Sequence, residues 1–171
     1  MKKLMNGAQM KRIDVYSIQE VGIPSLVLME RAALCVTEAV LEKIKKTDKV
    51  LCVCGSGNNG ADGMAVARQL TERGISAEVY TTAEEGKGTE ELNRQRAILQ
   101  KLGIVFVNDI PAGEYNCIID AVFGIGLSRT ITGRYEQIIE KINAAKDTGS
   151  LIVAVDTPSG INAGDGQVMG C

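Results

Sequence analysis

Short apolar runs and longer amphipathic stretches alternate along this chain. Residues 50–54 (VLCVC), 77–81 (AEVYT), 104–107 (IVFV), 117–123 (CIIDAVF) and 151–156 (LIVAVD) are brief, mostly apolar and often β-branched. Such runs fit strands buried on both faces of a parallel sheet. Between them, residues 60–73, 89–102 and 135–146 carry helical patterning. Strands alternating with helices predict an α/β fold with a doubly wound, mostly parallel sheet, its strands ordered 3-2-1-4-5.

Before the first strand, Leu26, Met29, Ala33, Val36, Val40 and Ile44 recur at steps of three or four. That spacing lays one apolar face along a helix over 25–46, with Ser25 as its N-cap. An N-terminal helical extension of this kind packs on the domain or at a subunit contact, and core packing is the default. No internal repeat, low-complexity tract or linker divides the chain, so its 171 residues read as one domain.

Composition narrows the function. The chain is 45% hydrophobic and 23% charged, with net charge −2, as expected of a globular protein. The balanced charge gives no electrostatic reason to expect nucleic acid. No apolar run is long enough to span a membrane, and the basic start MKKLMNGAQMKRIDVY lacks an apolar signal core. The five cysteines (Cys35, Cys52, Cys54, Cys117, Cys171) are odd in number, and three lie in apolar runs. They read as reduced thiols, which points to the cytoplasm. Histidine is absent. That excludes Ser-His-Asp and Cys-His catalysis and His-ligated zinc. Proton transfer must use carboxylate, lysine, tyrosine, thiol or water.

Chemistry collects after the strands. The first is followed by CGSGNNGADGM at 54–64. Glycines there let backbone approach a ligand, and the following helix N-terminus offers free N–H donors. No P-loop lysine follows. Gly55, Gly57 and Gly60 match the dinucleotide spacing G-x-G-x-x-G, a weak signal alone. The acidic residue that usually ends the second strand of a dinucleotide fold is replaced by Tyr80, Thr81 and Thr82, which disfavours an ordinary NAD oxidoreductase. Asp120 lies in the fourth strand and is followed by FGIGLSR at 123–129, while Asp156 ends the fifth before TPSG at 157–160. In a parallel sheet these ends converge on one crevice, where carboxylate, amide and hydroxyl oxygens suit a hard cation.

GSGNNGADG at 55–63, DAVFGIGLSR at 120–129, VDTPSGINAGDG at 155–166 and MERAA at 29–33 together resemble the YjeF N-terminal domain family, across nearly the whole chain. The resemblance implies a Rossmann-like three-layer α/β/α sandwich and an NAD(P)HX epimerase. Its substrate would be hydrated NADH or NADPH, carrying a hydroxyl on nicotinamide C6. Its products would serve a partner dehydratase, separate or fused. It implies a homodimer and one potassium ion per subunit. Carried over by position, the substrate loops fall on Asn58, Asn59, Gly60, Ala61 and Asp62, and on Gly124, Ile125, Gly126, Leu127, Ser128, Arg129 and Thr130. Asp156 is the strand-end substrate aspartate, and the potassium ligands are Asn59, Asp120 and Ser159. Ala61 stands where the family often has glycine, which matters only if the backbone there needs positive φ. Family domains run on past QVMG at 167–170 into further strands, so residues 1–171 are expected to lack these.

Asp156 is the expected acid–base residue, since C6 epimerisation breaks and remakes a C–O bond through an iminium-like cation or opens the ring. Arg129 is either a partner for a substrate phosphate or a solvated loop arginine. The rival reading from another class is a non-catalytic scaffold of the same fold, as in mRNA-decapping enhancers. Such a module has no need of the set Asn59, Asp62, Asp120, Asp156 and Ser159.

Overall fold

The computed structural model describes residues 5–171. Five parallel strands form one sheet in the order β3-β2-β1-β4-β5. They are β1 (Lys49–Cys54), β2 (Ser76–Thr81), β3 (Phe106–Val107), β4 (Cys117–Ala121) and β5 (Leu151–Ala154). The expected order is the observed one, and the three-layer α/β/α arrangement follows from which strand residues point where. On β1 and β4, Val50, Cys52, Cys54, Cys117, Ile119 and Ala121 face one way. They pack under α2 (Ser25–Leu41), α3 (Asn58–Glu72) and α4 (Glu90–Lys101), which contribute Met29, Ala33, Val40, Met64, Leu70, Leu92 and Leu99. Leu51, Val53 and Ile118 face the other way, against Ile138, Ile142 and Ala145 of α5 (Arg134–Asp147). Period-two alternation on strands buried from both sides thus makes both cores.

Several boundaries differ from the sequence reading. β3 keeps only two residues of the expected four. β4 and β5 each stop two residues early, so Asp156 lies beyond its strand rather than ending it. The helix expected over 25–46 ends at Leu41, and Ser25 is not its N-cap. Pro24 occupies that position, and the Ser25 hydroxyl donates instead to Glu91 Oε1 of α4 at 2.9 Å. Leu26, Val36 and Ile44 pack on the core as half-buried neighbours, so the apolar face itself is as read. α3 begins at Asn58, two residues before the expected start, which puts both asparagines in its first turn.

A further helix, α1 (Gly7–Gln19), precedes α2. A capping box starts it: Asn6 Oδ1 accepts the Gln9 N–H at 2.9 Å, and the Asn6 N–H donates to Gln9 Oε1 at 3.0 Å. No α1 residue is buried. Among the described residues no helix is long and apolar enough to cross a membrane.

Candidate functional site

The site is assembled where β1, β4 and β5 release the chain at the carboxyl edge of the sheet. The turn after β1 is held very tight. A Cβ built at Gly60 would stand 2.1 Å from the Gly55 carbonyl oxygen, and one at Gly55 2.1 Å from that of Val122. Only glycine at both places lets α3 begin so close to the end of β4. Ala61 is buried and does not have positive φ, so the methyl in the family's glycine position costs nothing.

Asp120 and Ser159 form a buried knot. The Ser159 hydroxyl donates to Asp120 Oδ1 at 2.6 Å, and the Ser159 N–H donates to Oδ2 at 2.8 Å. The hydroxyl oxygen also accepts the Phe123 N–H at 2.8 Å and lies 3.2 Å from the Phe123 carbonyl. Burial raises the Asp120 pKa, and the Ser159 and Val122 hydrogen bonds partly oppose the shift. The loops after β4 and β5 are thus tied through one serine.

Asp156 holds the same two loops together from outside. Its Oδ2 accepts the Ile125 N–H at 2.7 Å. Its φ of 70° makes it the one non-glycine residue in the left-handed region among the described residues. A non-glycine residue held there costs roughly 1–3 kcal/mol, and such strain gathers at functional sites. The carboxylate is exposed and lies against Gly124, where a built Cβ would stand 2.5 Å from Asp156 Oδ2 and 3.0 Å from Asn59 Oδ1. Asn59, Gly124 and Asp156 therefore meet at one point. Asn59 Nδ2 and Thr157 Oγ1 are buried and have no hydrogen-bond partner in the protein. Unpaired buried polar atoms are costly, and the Asn59 amide is one that lies at this meeting point.

Asp62 lies one helical turn after Asn58, half-buried. Burial, then the nearby Asp156 and Asp14 carboxylates, push its pKa up to about 7. Asp14 comes from α1, so that helix reaches the site; a Cβ built at Gly7 would likewise stand 3.4 Å from Ile125 Cβ. Neither Asp14 nor Thr157 was legible as a site residue. The capping box at Asn6 could have announced α1, but nothing in the sequence says where that helix lies.

The second loop is less uniform than its motif. Gly124 and Ile125 line the meeting point, whereas Gly126, Ser128, Arg129 and Thr130 are exposed. Leu127 turns inward onto Ile131 and Ile139. Gly60 and Ala61 contribute backbone and packing. Glu30 of the MERAA segment points away from the crevice and pairs with Arg68 of α3, while Met29 is core. Cys52, Cys54 and Cys117 are buried free thiols raised by burial, so they are poor nucleophiles.

The donor set is all oxygen, the kind that hard cations take. One carboxylate (Asp120), a hydroxyl (Ser159) and a backbone carbonyl (Phe123) are gathered, with the Asn59 amide at the adjoining Gly124. Among the described residues no cluster of three or more His, Cys, Asp or Glu is placed to hold a metal ion. Apart from the Asp120 carboxylate, the gathered oxygens are those of a hydroxyl, an amide and a backbone carbonyl.

Residues 25–171 match the family described as YjeF-related protein N-terminus. An NAD(P)H-hydrate epimerase of Limosilactobacillus fermentum is 41% identical over 171 residues, covering 99% of this chain and 80% of that protein. Those of Oenococcus oeni and Weissella koreensis are each 40% identical, over 97% and 95% of this chain and 79% and 72% of theirs. Among solved structures, yeast ynu0 superposes with a TM-score of 0.83 at 24% identity, over 94% of this chain and 72% of that one. At that identity the likeness bears on the fold.

Proposed function

The chain belongs to the YjeF-related N-terminal family, and on that premise we propose that it is an NAD(P)H-hydrate epimerase. It is an isomerase of cofactor repair, interconverting the R and S forms of hydrated NADH and NADPH at nicotinamide C6. The observation that carries this reading is identity near 40% to curated epimerases over almost all of the chain. The retained oxygen set at the sheet edge supports it.

The residues divide the work as follows. The α3 N-terminus, with Asn58 and Asn59, binds the substrate, whose phosphates gain from its free N–H groups. Gly124 lets the substrate ring approach the backbone beside Asp156. Asp156, the acid–base residue in this reading, sets its negative charge against the iminium-like cation that forms when the C6 hydroxyl leaves and exchanges the proton with departing and returning water. Exposed Arg129 stands at the loop rim, where a substrate phosphate would meet it. Asn59, Asp120 and Ser159 would hold potassium, one ion per subunit, whose charge would offset that of the buried carboxylate between the two loops. The working unit is a homodimer in the cytoplasm, its product consumed by an NAD(P)HX dehydratase. The uncovered α1 supports the dimer, and the buried free thiols support the compartment.

The test follows R-to-S conversion of NADHX, with a dehydratase removing S as it forms. The expected result is conversion well above the spontaneous rate, faster in potassium than in sodium or lithium. Conversion at the spontaneous rate by a folded protein in potassium would reject the reading and favour the scaffold alternative.

A further inference from the structure

We propose that Met169 is a positioning residue of the epimerase: it clamps the far end of the substrate loop and so fixes where that loop stands. This rests on the epimerase reading, which gives residues 124–130 to the substrate. The near end of the loop is tied twice, by Asp156 Oδ2 to the Ile125 N–H and by the Ser159 hydroxyl to the Phe123 N–H. Inside the loop there is one turn bond, from the Leu127 N–H to the Gly124 carbonyl at 3.1 Å. Among the described residues the backbone N–H groups of Ser128, Arg129 and Thr130 find no acceptor. The placement of these exposed residues therefore depends on what holds the far end.

Met169 supplies that hold. After Gly160 the chain runs out through a turn, in which the Asn162 N–H donates to the Gln167 carbonyl at 2.9 Å. It then comes back, and Val168 faces Ile161 in an antiparallel bridge. On this returning arm the Met169 N–H donates to the Gly160 carbonyl at 2.7 Å. The Met169 carbonyl accepts the Ile131 N–H at 2.6 Å. One residue thus joins the loop after β5 to the position just behind Thr130. Its side chain packs on the cluster of Leu127, Ile131 and Ile139, and Leu127 is the side chain that the substrate loop turns inward. The next residue, Gly170, has φ 112°, and a Cβ there would stand 2.6 Å from the Ile131 carbonyl oxygen. A methyl at that place would push the arm off the loop.

A clamp that only stabilises the fold and one that positions the loop differ in kinetics. Fewer folded molecules lower the apparent kcat and leave KM unchanged. A displaced loop loses binding to substrate and transition state alike, which raises KM and leaves kcat nearly unchanged. The coupled assay of NADHX conversion on the whole chain separates the two. Met169→Ala removes the packing, and Gly170→Ala displaces the arm with Met169 still in place. Both should raise KM roughly tenfold, the size of one lost hydrogen bond to substrate. Met169→Leu, of similar volume, should restore most of the affinity lost in Met169→Ala. Amide exchange reads the clamp directly. In the parent, the Ile125 and Ile131 amides should exchange more slowly than those of Ser128, Arg129 and Thr130. In Gly170→Ala the Ile131 amide should speed up while β1 and β4 stay protected. Parental KM in the two folded alanine variants, or kcat lost at unchanged KM, overturns the role. So does a parental Ile131 amide as fast as its loop neighbours, a result that needs no variant to fold. A parent with no activity overturns the epimerase reading, and the role falls with it.

Discussion

Ser159 and Gly124 show how single positions control the crevice. The Ser159 hydroxyl serves Asp120 and the Phe123 N–H at once, in a buried setting. Ser159→Ala leaves the Phe123 N–H unpaired and takes the hydroxyl from Asp120, which keeps the Ser159 and Val122 N–H groups, and the loss costs roughly 1–3 kcal/mol. Urea denaturation should show a midpoint lowered accordingly, with unchanged slope; an unchanged midpoint would mean that water replaces the hydroxyl. Gly124→Ala acts differently. The new Cβ meets a carboxylate, the movable end of a side chain, so the fold should survive within a few degrees of Tm. Asp156 must turn away, however, and epimerisation should fall at least tenfold. Activity equal to the parent would show that the Asp156 position is not critical. Asp62 gives a further stability signature. Its folded pKa lies above the ordinary 3.8, so the protonated form favours folding and stability is lost as pH rises from about 4 through 7. Asp62→Asn removes that loss, so its Tm advantage over the parent should grow from pH 5 to pH 8. The motif residues Asn59, Asp120, Asp156 and Ser159 were legible in sequence because each follows or lies in a strand. Asp14 was not, since its approach to Asp62 depends on how a distant helix lies. Leu127 sits inside a substrate motif yet packs inward, which its neighbours in sequence do not reveal.

At the scale of elements, the sheet was readable because its strands are buried on both faces and carry apolar runs set off by turns. The strand ends were not. Val122 and Phe123 continue the apolar pattern past the end of β4 because they pack against a core, and Val155 is buried while its N–H still donates to the Asp120 carbonyl at 2.8 Å. Asp156 thereby gains a loop conformation that no strand would allow. α3 starts early for a related reason: Gly57 is its N-cap, and Asn58 and Asn59 take the first helical positions instead of a preceding turn. Ser25 is not the cap because the helix already begins at it: Pro24 holds the N-cap position, and the Ser25 hydroxyl is turned to Glu91. Gly60 is the position on which this arrangement depends most. In Gly60→Ala the added methyl meets backbone, the Gly55 carbonyl, rather than a flexible side chain. Overpacking typically costs about 1–3 kcal/mol and more where backbone must move. A large drop in Tm and in soluble yield is expected, whereas Gly57→Ala, with open space around it, should be mild. Equal effects of the two substitutions would contradict the close approach of α3 to the sheet.

At the scale of the whole molecule, α1 is the part that its own domain does not account for. The helix is 13 residues long and none of them is buried. Met10, Ile13, Val15 and Tyr16 remain between 40 and 61% exposed. A helix of that length is marginal alone, and most helical stability in proteins comes from packing an apolar face. Its approach to the domain, Gly7 against Ile125 with the Asp14 charge felt at Asp62, leaves the apolar side chains uncovered. Val15 and Tyr16 lie on one open face of the helix with Lys11, Arg12 and Glu20. Two copies set antiparallel would join these apolar side chains and bring Lys11 and Arg12 of one against Glu20 of the other. The prediction is a homodimer closed through α1. Light scattering should give twice the chain mass, and Ile13→Glu combined with Tyr16→Glu should give the monomer. Because α1 carries Asp14 and lies on Ile125, the separated monomer should also lose epimerase activity, with the sheet intact by circular dichroism. Amide exchange supplies an independent reading: protection of α1 should rise with protein concentration, while β1 and β4 stay protected throughout. A parent that scatters as a monomer, with α1 amides protected equally at every concentration, would show that the helix is held by its own domain and that no second copy is needed.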